Sequence, residues 1–176
     1  MRDGGCWICP GTLNTLTIMK SLLLKLTLPL YVLDQATKAA VLWNVDNDAV
    51  IPVIPGFFNI VHVYNTGAAF GMLKGANTFF LVLSAVALIV IGFLIRRGSF
   101  KDAPSKVGAA LLLAGVAGNL TDRILHGHVV DFLDFILPLY GRWPSFNVAD
   151  SCICIAAGLF IVSAFLEGRG PKPVKR

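Results

Sequence analysis

Charged residues are scarce in this chain of 176 residues: they make up 14% of it, whereas hydrophobic residues make up 56%. A soluble domain carries about 25% charged residues, because charged side chains cover its surface. A mean hydropathy of +0.73 excludes a disordered chain, a collagen and a coiled coil, and it argues against a water-soluble globule. The composition therefore indicates a small polytopic membrane protein with one domain.

Several chemical motifs are also missing. The sequence contains no HExxH helix of a metalloprotease, no GxSxG nucleophile elbow and no glycine-rich phosphate loop. His62, His126 and His128 have no convincing set of partner ligands, so neither a metal nor another cofactor is expected. Cys152 and Cys154 are two residues apart on a predicted helix, where they point to roughly opposite faces as small hydrophobic groups.

The N-terminal residues differ from the rest of the chain. Cys6 and Cys9 have the CxxC spacing of redox and zinc sites, but no second pair completes four zinc ligands. Met19 stands just before the first long apolar run and resembles a natural start. We therefore predict three parts: a disordered extension or misassigned start (1–18), a four-helix membrane domain (19–168) and a basic cytoplasmic tail (169–176).

Four apolar stretches are long enough to cross a bilayer, which takes about 17–25 helical residues. They cover approximately residues 21–43, 78–95, 107–125 and 148–166. The fold class that follows is an all-α polytopic membrane protein with four transmembrane helices. The two loops of residues 44–77 and 126–147, called the outer loops below, share one side of the membrane in such a topology.

The distribution of the fifteen lysines and arginines predicts the orientation of these spans. Each outer loop holds a single basic residue, Lys74 or Arg142. Because positive charge stays on the cytoplasmic side, both termini are expected in the cytoplasm, and the basic stripe of a nucleic-acid-binding protein is absent. The other basic residues near the spans are Arg2, Lys20, Lys25, Arg96, Arg97, Lys101, Lys106, Arg169, Lys172, Lys175 and Arg176.

Five short polar phrases interrupt the apolar sequence. Ionisable groups at membrane depth cost at least about 2.5–3.5 kcal/mol each, so they mark function by default. By the predicted topology, all five phrases meet at the outer surface of the helix bundle. They are DQATK (34–38), NTGAAF (65–70), GNLTDR (118–123), VVDF (129–132) and FNVAD (146–150).

Two carboxylates in these phrases form a candidate catalytic pair. Asp131 lies just beyond the third span, and Asp150 lies in the first turn of the fourth, where a helix N-terminus favours negative charge. Two close carboxylates share one proton, so that one activates water while the other polarises a carbonyl and protonates the leaving amine. Asn119, Asn147 and Arg123 would position the pair. This chemistry hydrolyses a peptide without a metal.

Structural interpretations remain open for several of these residues. Asp34 and Lys38 have the i,i+4 spacing of an ion pair on one helix face. Asp122 and Arg123 are also consistent with an interfacial ion pair, and Asn65–Gly67 with ordinary turn chemistry. Two other classes of protein compete with a peptidase: a proton-coupled membrane carrier, since intramembrane carboxylates also mark ion paths, and an assembly subunit whose polar residues only pack helices.

In this order on four short spans, the five phrases resemble the bacterial lipoprotein signal peptidase family, also called signal peptidase II. The resemblance covers approximately residues 20–168. It implies an aspartic endopeptidase of the bacterial inner membrane, with its active site at the periplasmic face. Its substrates are prolipoproteins whose lipobox cysteine carries a diacylglyceryl group, and it removes their signal peptides. The expected partners are these substrates and membrane lipid, with no nucleic acid, and the expected state is a monomer.

The resemblance also assigns roles to individual residues. It makes Asp131 and Asp150 the catalytic pair, and it implies a small β-rich cradle between spans one and two. The residues that it places around the pair, as substrate-binding or supporting groups, are Asn65, Gly67, Asn119, Asp122, Arg123, Asn147, Asp34 and Lys38.

Overall fold

The computed structural model of the protein describes residues 10–67 and 75–168. Within these residues, four helical segments are long and apolar enough to cross a membrane. They run over Leu16–Asn44, Asn77–Arg96, Ala103–His126 and Val148–Gly168. Each includes one of the stretches that the sequence predicts as spans, so the predicted helical spans are confirmed.

The first segment is a composite helix that contains a local defect. It comprises α1 (Pro10–Leu22), a π-helical turn (Leu23–Thr27) and α2 (Leu28–Asn44). The π turn lies just before Pro29, which lacks an N–H and crowds the preceding turn of a regular helix. One wide turn accommodates this proline without ending the helix. At the same place the Thr27 hydroxyl donates a hydrogen bond of 2.8 Å to the carbonyl of Ala110.

The remaining spans are α3 (Asn77–Arg96), α4 (Ala103–His126) and α5 (Val148–Gly168). α4 is the central helix, because it packs against the first composite helix, α3 and α5. Its buried face consists largely of alanine and glycine, which allow neighbouring helices to approach closely. α4 ends where Gly127 adopts a left-handed conformation (φ 76°), and the chain then turns into the second outer loop.

Gly115 marks the closest approach of α4 to α5. A Cβ atom at this position would lie 2.4 Å from the carbonyl oxygen of Ala149 and 2.7 Å from the side chain of Ile153. We expect Gly115→Ala to push α5 away and lower the free energy of unfolding by about 1–3 kcal/mol, the usual cost of overpacking. Thermal unfolding in detergent measures this loss. Gly158→Ala is the matched control, because nothing lies within 4 Å of its Cβ position. Equal stability of the two variants would contradict the expectation.

A four-stranded antiparallel sheet stands at one end of the bundle, with strand order β1-β2-β3-β4. Its strands are β1 (Val50–Ile54), β2 (Phe58–Asn65), β3 (Val129–Leu137) and β4 (Gly141–Arg142). The expected β-rich element is therefore present, but it is not formed by the first outer loop alone. β3 and β4 come from the second outer loop, so the sheet joins both loops, and the all-α label describes only the spans.

A β-bulge adapts the pairing of β2 with β3. Ile60 pairs with Leu133, whereas Val63 pairs with Asp131, so β2 has one residue more than β3 in this interval. A bulge bends a strand and changes the direction of its side chains. Here it lies next to Asp131 and brings β3 over the outer ends of α2 and α4, where Val130 and Phe132 are buried with Val41.

The N-terminal part of the chain lies partly outside the described residues. Cys6 and Cys9 are outside them, as is the basic tail of residues 169–176. Residues 10–18 belong to the helical segment that continues into the first span. The division into a 1–18 extension, a 19–168 domain and a tail stays a prediction. Cys152 is buried and Cys154 is exposed, as their spacing predicts.

Candidate active site

Asp131 and Asp150 reach the same site from different elements. β3 carries Asp131, and the first turn of α5 carries Asp150. Asn147 connects them: its side-chain Nδ2 donates to Asp131 Oδ1 at 2.8 Å, and its side-chain oxygen accepts from the Asp150 backbone N–H at 2.9 Å. Because Asn147 is fully buried, it holds the two carboxylates in a fixed relation.

The start of α5 explains how Asp150 is oriented. While Asn147 caps the Asp150 N–H, Asp150 Oδ2 accepts from the Asn147 backbone N–H at 3.3 Å. This reciprocal arrangement is a capping box, formed here by Asn and Asp three residues apart. Asp150 Oδ1 also accepts from Asn119 Nδ2 at 2.7 Å. Two N–H donors and the helix N-terminus thus stabilise negative charge on Asp150, which offsets part of the cost of its burial.

Asp131 has a drier environment. Its side chain is 2% exposed, and its Oδ2 accepts from Asn65 Nδ2 at 2.9 Å. Asn65 is held in turn by the backbone N–H of Gly67, which donates to its side-chain oxygen at 2.9 Å. Burial, and next the charge of Asp150, raise the pKa of Asp131 to about 7, although the two asparagine donors oppose this shift. Asp131 is therefore protonated in a large fraction of the molecules at neutral pH.

A buried ion cluster lies beneath the pair. Lys38 is 2% exposed, and its Nζ lies 2.9 Å from Asp34 Oδ2 and 2.9 Å from Asp122 Oδ2. The same ammonium donates to Asn119 Oδ1 at 3.0 Å. Because Asn119 donates to Asp150, the cluster is connected to the candidate catalytic pair through one amide. The Asp34–Lys38 ion pair therefore exists, but it is part of a buried network and not of an exposed helix face.

Asp34 also holds the helix that carries Asp150. Its Oδ1 accepts from the backbone N–H of Ala149 at 2.8 Å, so α2 supplies a cap for the first turn of α5. Gly118 makes this contact possible, since a Cβ atom there would lie 2.5 Å from Asp34 Oδ2. The glycine of the GNLTDR phrase thus leaves space for a carboxylate from another helix.

Asp122 and Arg123 do not form the ion pair that their adjacency suggested. Asp122 pairs with Lys38, and its Oδ2 accepts from the Val130 backbone N–H at 3.2 Å. The guanidinium of Arg123 lies 5.1 Å from the centre of the Phe80 ring and donates to the Gly67 carbonyl at 3.3 Å. Its Nε is buried without a hydrogen-bond partner among the residues that the structure describes.

A cavity of about 680 Å³ adjoins this site, and Asp150 lines it whereas Asp131 is not among its lining residues. α3 contributes Phe80, Leu83, Ser84 and Ala87, and α4 contributes Val116, Asn119 and Arg123. The rest of the wall is formed by α5, from Asp150 to Ile155, by residues 143–146, which we call the wall segment, and by Asn65, Gly67 and Val129. The cavity is mainly apolar, and its few polar side chains include Asp150, Asn119 and Arg123. It is therefore suited to an extended apolar chain with a peptide group at one position.

The histidines take no part in this site. His62 Nδ1 lies 2.7 Å from the Val45 carbonyl oxygen, and its ring packs on Tyr64, which also contacts His128. Over residues 10–67 and 75–168, no group of three His, Cys, Asp or Glu side chains is arranged to hold a metal ion. That the enzyme needs no metal or cofactor stays a prediction.

Comparison with known proteins identifies the family. The family model for signal peptidase (SPase) II matches residues 26–166. The chain belongs to the signal peptidase II family. A lipoprotein signal peptidase of Maridesulfovibrio salexigens is 47% identical over 146 residues, which are 76% of this chain and 88% of that protein. One of Xylella fastidiosa is 42% identical over 154 residues, 85% of this chain and 92% of that protein.

A solved structure supports the same assignment. A bacterial membrane enzyme determined by the in meso method at 2.3 Å resolution is 31% identical to this signal peptidase II chain, with a TM-score of 0.77. The alignment covers 93% of this chain and 94% of that one. The resemblance read from the five phrases is confirmed, and the chain is an aspartic peptidase, a hydrolase. The carrier and the assembly subunit find no support in these comparisons.

The structure of this signal peptidase II brings together the site residues that the sequence singled out. All eight lie within three polar contacts of Asp131 or Asp150, or in the cavity wall: Asn65, Gly67, Asn119, Asp122, Arg123, Asn147, Asp34 and Lys38. Residues 68–74, with the end of the NTGAAF phrase, are outside the described residues.

Sequence reasoning missed two contributors. Gln35 donates to both Asp34 and Asp122 at 3.1 Å, and it lies inside the DQATK phrase. The wall segment was not recognised, because Trp143 to Phe146 carry no ionisable side chain. The only sequence signal was that the segment ends at Phe146, the first residue of the FNVAD phrase.

Proposed function

We propose that this signal peptidase II removes the signal peptide from diacylglyceryl-modified prolipoproteins and cleaves just before the lipidated cysteine. The observation that carries the proposal is the Asp131/Asp150 pair, which Asn147 connects beside a mainly apolar cavity between membrane-spanning helices. The names of the similar proteins agree with this substrate class.

The environments of the two carboxylates suggest a division of roles. Asp150, held by two N–H donors, is the ionised partner and takes a proton from water as the water oxygen attacks the scissile carbonyl carbon. Asp131, the drier partner, polarises the carbonyl oxygen and then gives its proton to the leaving amine as the C–N bond breaks. Proton transfer between the carboxyl groups after product release restores the starting state.

Arg123 is suited to orient the peptide. Arg123 lines the cavity, and its Nε is buried and unpaired among the described residues. An unsatisfied donor of this kind costs free energy until an acceptor arrives. A carbonyl oxygen of the substrate next to the scissile bond provides that acceptor. Arg123 would then help to hold the peptide against the pair without exchanging a proton.

The location of the site suggests how substrate reaches it. The cavity lies where α3 and α5 meet the sheet, so a signal helix can pack along these spans while its acyl chains remain in lipid. We place this end of the bundle at the periplasmic face of the bacterial inner membrane, with both termini in the cytoplasm, because of the positive charge in the opposite loop. A monomer is sufficient, since one chain supplies both carboxylates.

The direct test uses purified protein in detergent with a diacylglyceryl-modified prolipoprotein. Cleavage immediately before the modified cysteine is expected, and the same precursor without the diacylglyceryl group is the matched control. A gel shift and mass spectrometry of the product identify the bond. A folded protein that releases no signal peptide from the modified precursor would contradict the proposal.

The pKa of Asp131 predicts the alkaline side of the pH profile. Because that pKa is raised to about 7, Asp131 loses its proton as pH rises through neutrality, and kcat/KM should fall above this value. The same shift makes the stability of the fold depend on pH. The contribution of Asp131 to the free energy of unfolding is fully present below its ordinary pKa of 3.8 and is lost as pH rises through about 7. Rates between pH 5 and 9 measure the profile.

Asn65→Ala tests whether Asp131 is the group that sets the alkaline limb of the pH profile. Asn65 donates to Asp131 and lowers its pKa, so the variant should move the alkaline limb of kcat/KM to higher pH, at a lower overall rate. A profile in which the limb stays at the wild-type pH would show that another group sets it.

A further inference from the structure

A second buried carboxylate lies on β3, outside the catalytic pair. Asp134 has no exposed surface and stands directly opposite Asn59 of β2. Its Oδ2 accepts from Asn59 Nδ2 at 2.7 Å and from Arg142 Nη2 at 2.9 Å, and its Oδ1 accepts from Arg142 Nε at 2.7 Å. One carboxylate thus joins β2, β3 and β4.

The geometry of this ion pair makes it stronger than an ordinary surface contact. A two-pronged guanidinium–carboxylate contact fixes distance and direction together. The hydrogen bonds from Arg142 come first among the causes that hold the pKa of Asp134 below its usual value, so it stays ionised wherever the catalytic pair works. Arg142 is 56% exposed, which keeps its own desolvation cost small.

Arg142 is the last residue before the wall segment. The Trp143 backbone N–H donates to the Phe135 carbonyl at 2.8 Å, and Phe146 exchanges hydrogen bonds of 2.8 and 3.1 Å with Leu133. These backbone contacts lie on either side of Asp134 along β3. The next residue after the segment is Asn147, which binds both catalytic carboxylates. The ion pair therefore fixes the start of the segment, and Asn147 fixes its end.

We propose that Asp134 and Arg142 are positioning residues, whose ion pair holds the wall segment against β3 and so sets where the substrate peptide lies relative to Asp131 and Asp150. The inference rests on the proposed peptidase function. Asp134 contacts Arg142 and Asn59, and within the described part of the chain neither Asp134 nor Arg142 forms a side-chain hydrogen bond with Asp131, Asp150 or Asn147. Their effect is on the fit of the substrate and not on proton transfer.

Steady-state cleavage of the modified prolipoprotein tests this inference. Arg142→Gln and Asp134→Asn should each raise KM on the order of tenfold and change kcat much less, because the wall is displaced while the pair remains in place. Arg142→Lys keeps the charge but not the two-pronged contact, and it should recover part of the loss. The double variant should be no worse than the more damaging single one, since both remove the same contact.

Asp46→Asn is the matched control, because it neutralises an exposed carboxylate in the first outer loop. The pH profile of kcat/KM should be unchanged in all variants, which separates displacement of the wall from disturbance of the pair. If the Asp134 and Arg142 variants have lower thermal stability but wild-type KM and kcat, the inference is overturned, and the ion pair has a purely structural role. A wild-type protein that cleaves nothing would instead contradict the proposed function.

Discussion

Asp131→Asn and Asp150→Asn are each expected to lower kcat/KM by about 10³-fold or more, with the fold intact. Each variant removes a group that must exchange a proton in the hydrolysis, and such groups contribute about 10²–10⁴-fold. Asparagine keeps the size of the side chain and one acceptor oxygen for the surrounding amides. At Asp131 it also removes a group whose ionisation is costly at a site that is 2% exposed, so stability should not fall much. A gel-shift assay with the modified prolipoprotein measures cleavage, and thermal unfolding in detergent measures stability.

Asp48→Asn is a suitable control for both variants. Asp48 is exposed, and its left-handed conformation (φ 59°) is one that asparagine adopts as readily. This variant should cleave like the wild type. If all three variants cleave normally, the catalytic assignment is wrong although the function stands. If the Asp131 and Asp150 variants lose stability but retain their rate per folded molecule, the carboxylates serve packing and not catalysis.

The spans could be predicted because hydropathy alone determines them. A bilayer accepts only long apolar helices, and the four stretches in this chain satisfy that condition without reference to tertiary contacts. The start of α5 was also predicted from the sequence, since the fourth apolar stretch begins at residue 148 and places Asp150 in its first turn. The capping box with Asn147, and the contact of the Asp150 carboxylate with Asn119, could not be predicted.

The sheet was harder to predict. β3 reads as a continuous apolar run interrupted by two carboxylates, Asp131 and Asp134, which are three residues apart. An alternating strand would place residues with that spacing on opposite faces, yet both are buried. Their burial depends on partners from elsewhere, Asn65 and Arg142 among them, and on the bulge in β2. No local sequence pattern contains that information, so β3 could not be predicted without knowledge of the strands and side chains that contact it.

The buried ion cluster was also predicted only in part, because one of its carboxylates comes from another helix. Spacing on one helix predicted that Lys38 pairs with Asp34, and the structure contains that pair. The second carboxylate, Asp122, comes from another helix, at the same distance from the ammonium. Two carboxylates with one lysine leave the cluster with a net negative charge in a buried site. Lys38 therefore has a larger role than a pair on a helix surface would give it.

Removing the Lys38 ammonium is the second large effect that we expect. Lys38→Met leaves Asp34 and Asp122 buried without their cation, and breaking a buried pair in this way costs about 3–5 kcal/mol. Asn119 also loses the shorter of the two hydrogen bonds to its side-chain oxygen and keeps only the one from Asn147, so Asp150 is less well oriented, and kcat/KM should fall by roughly 10²-fold. Thermal unfolding in detergent and the cleavage assay measure the two losses.

The double variant Lys38→Met/Asp122→Asn separates charge from packing. It has the same formal cluster charge as the wild type, whereas Lys38→Met alone has one more negative charge. If uncompensated charge is the main cost, the double variant should be more stable than Lys38→Met, although a second substitution would otherwise destabilise further. Lys101→Met is the control for loss of a lysine, since Lys101 is exposed at the opposite end of the bundle. A double variant less stable than Lys38→Met would show that Asp122 is held by its other contacts, to Gln35 and the Val130 N–H, and not by the lysine.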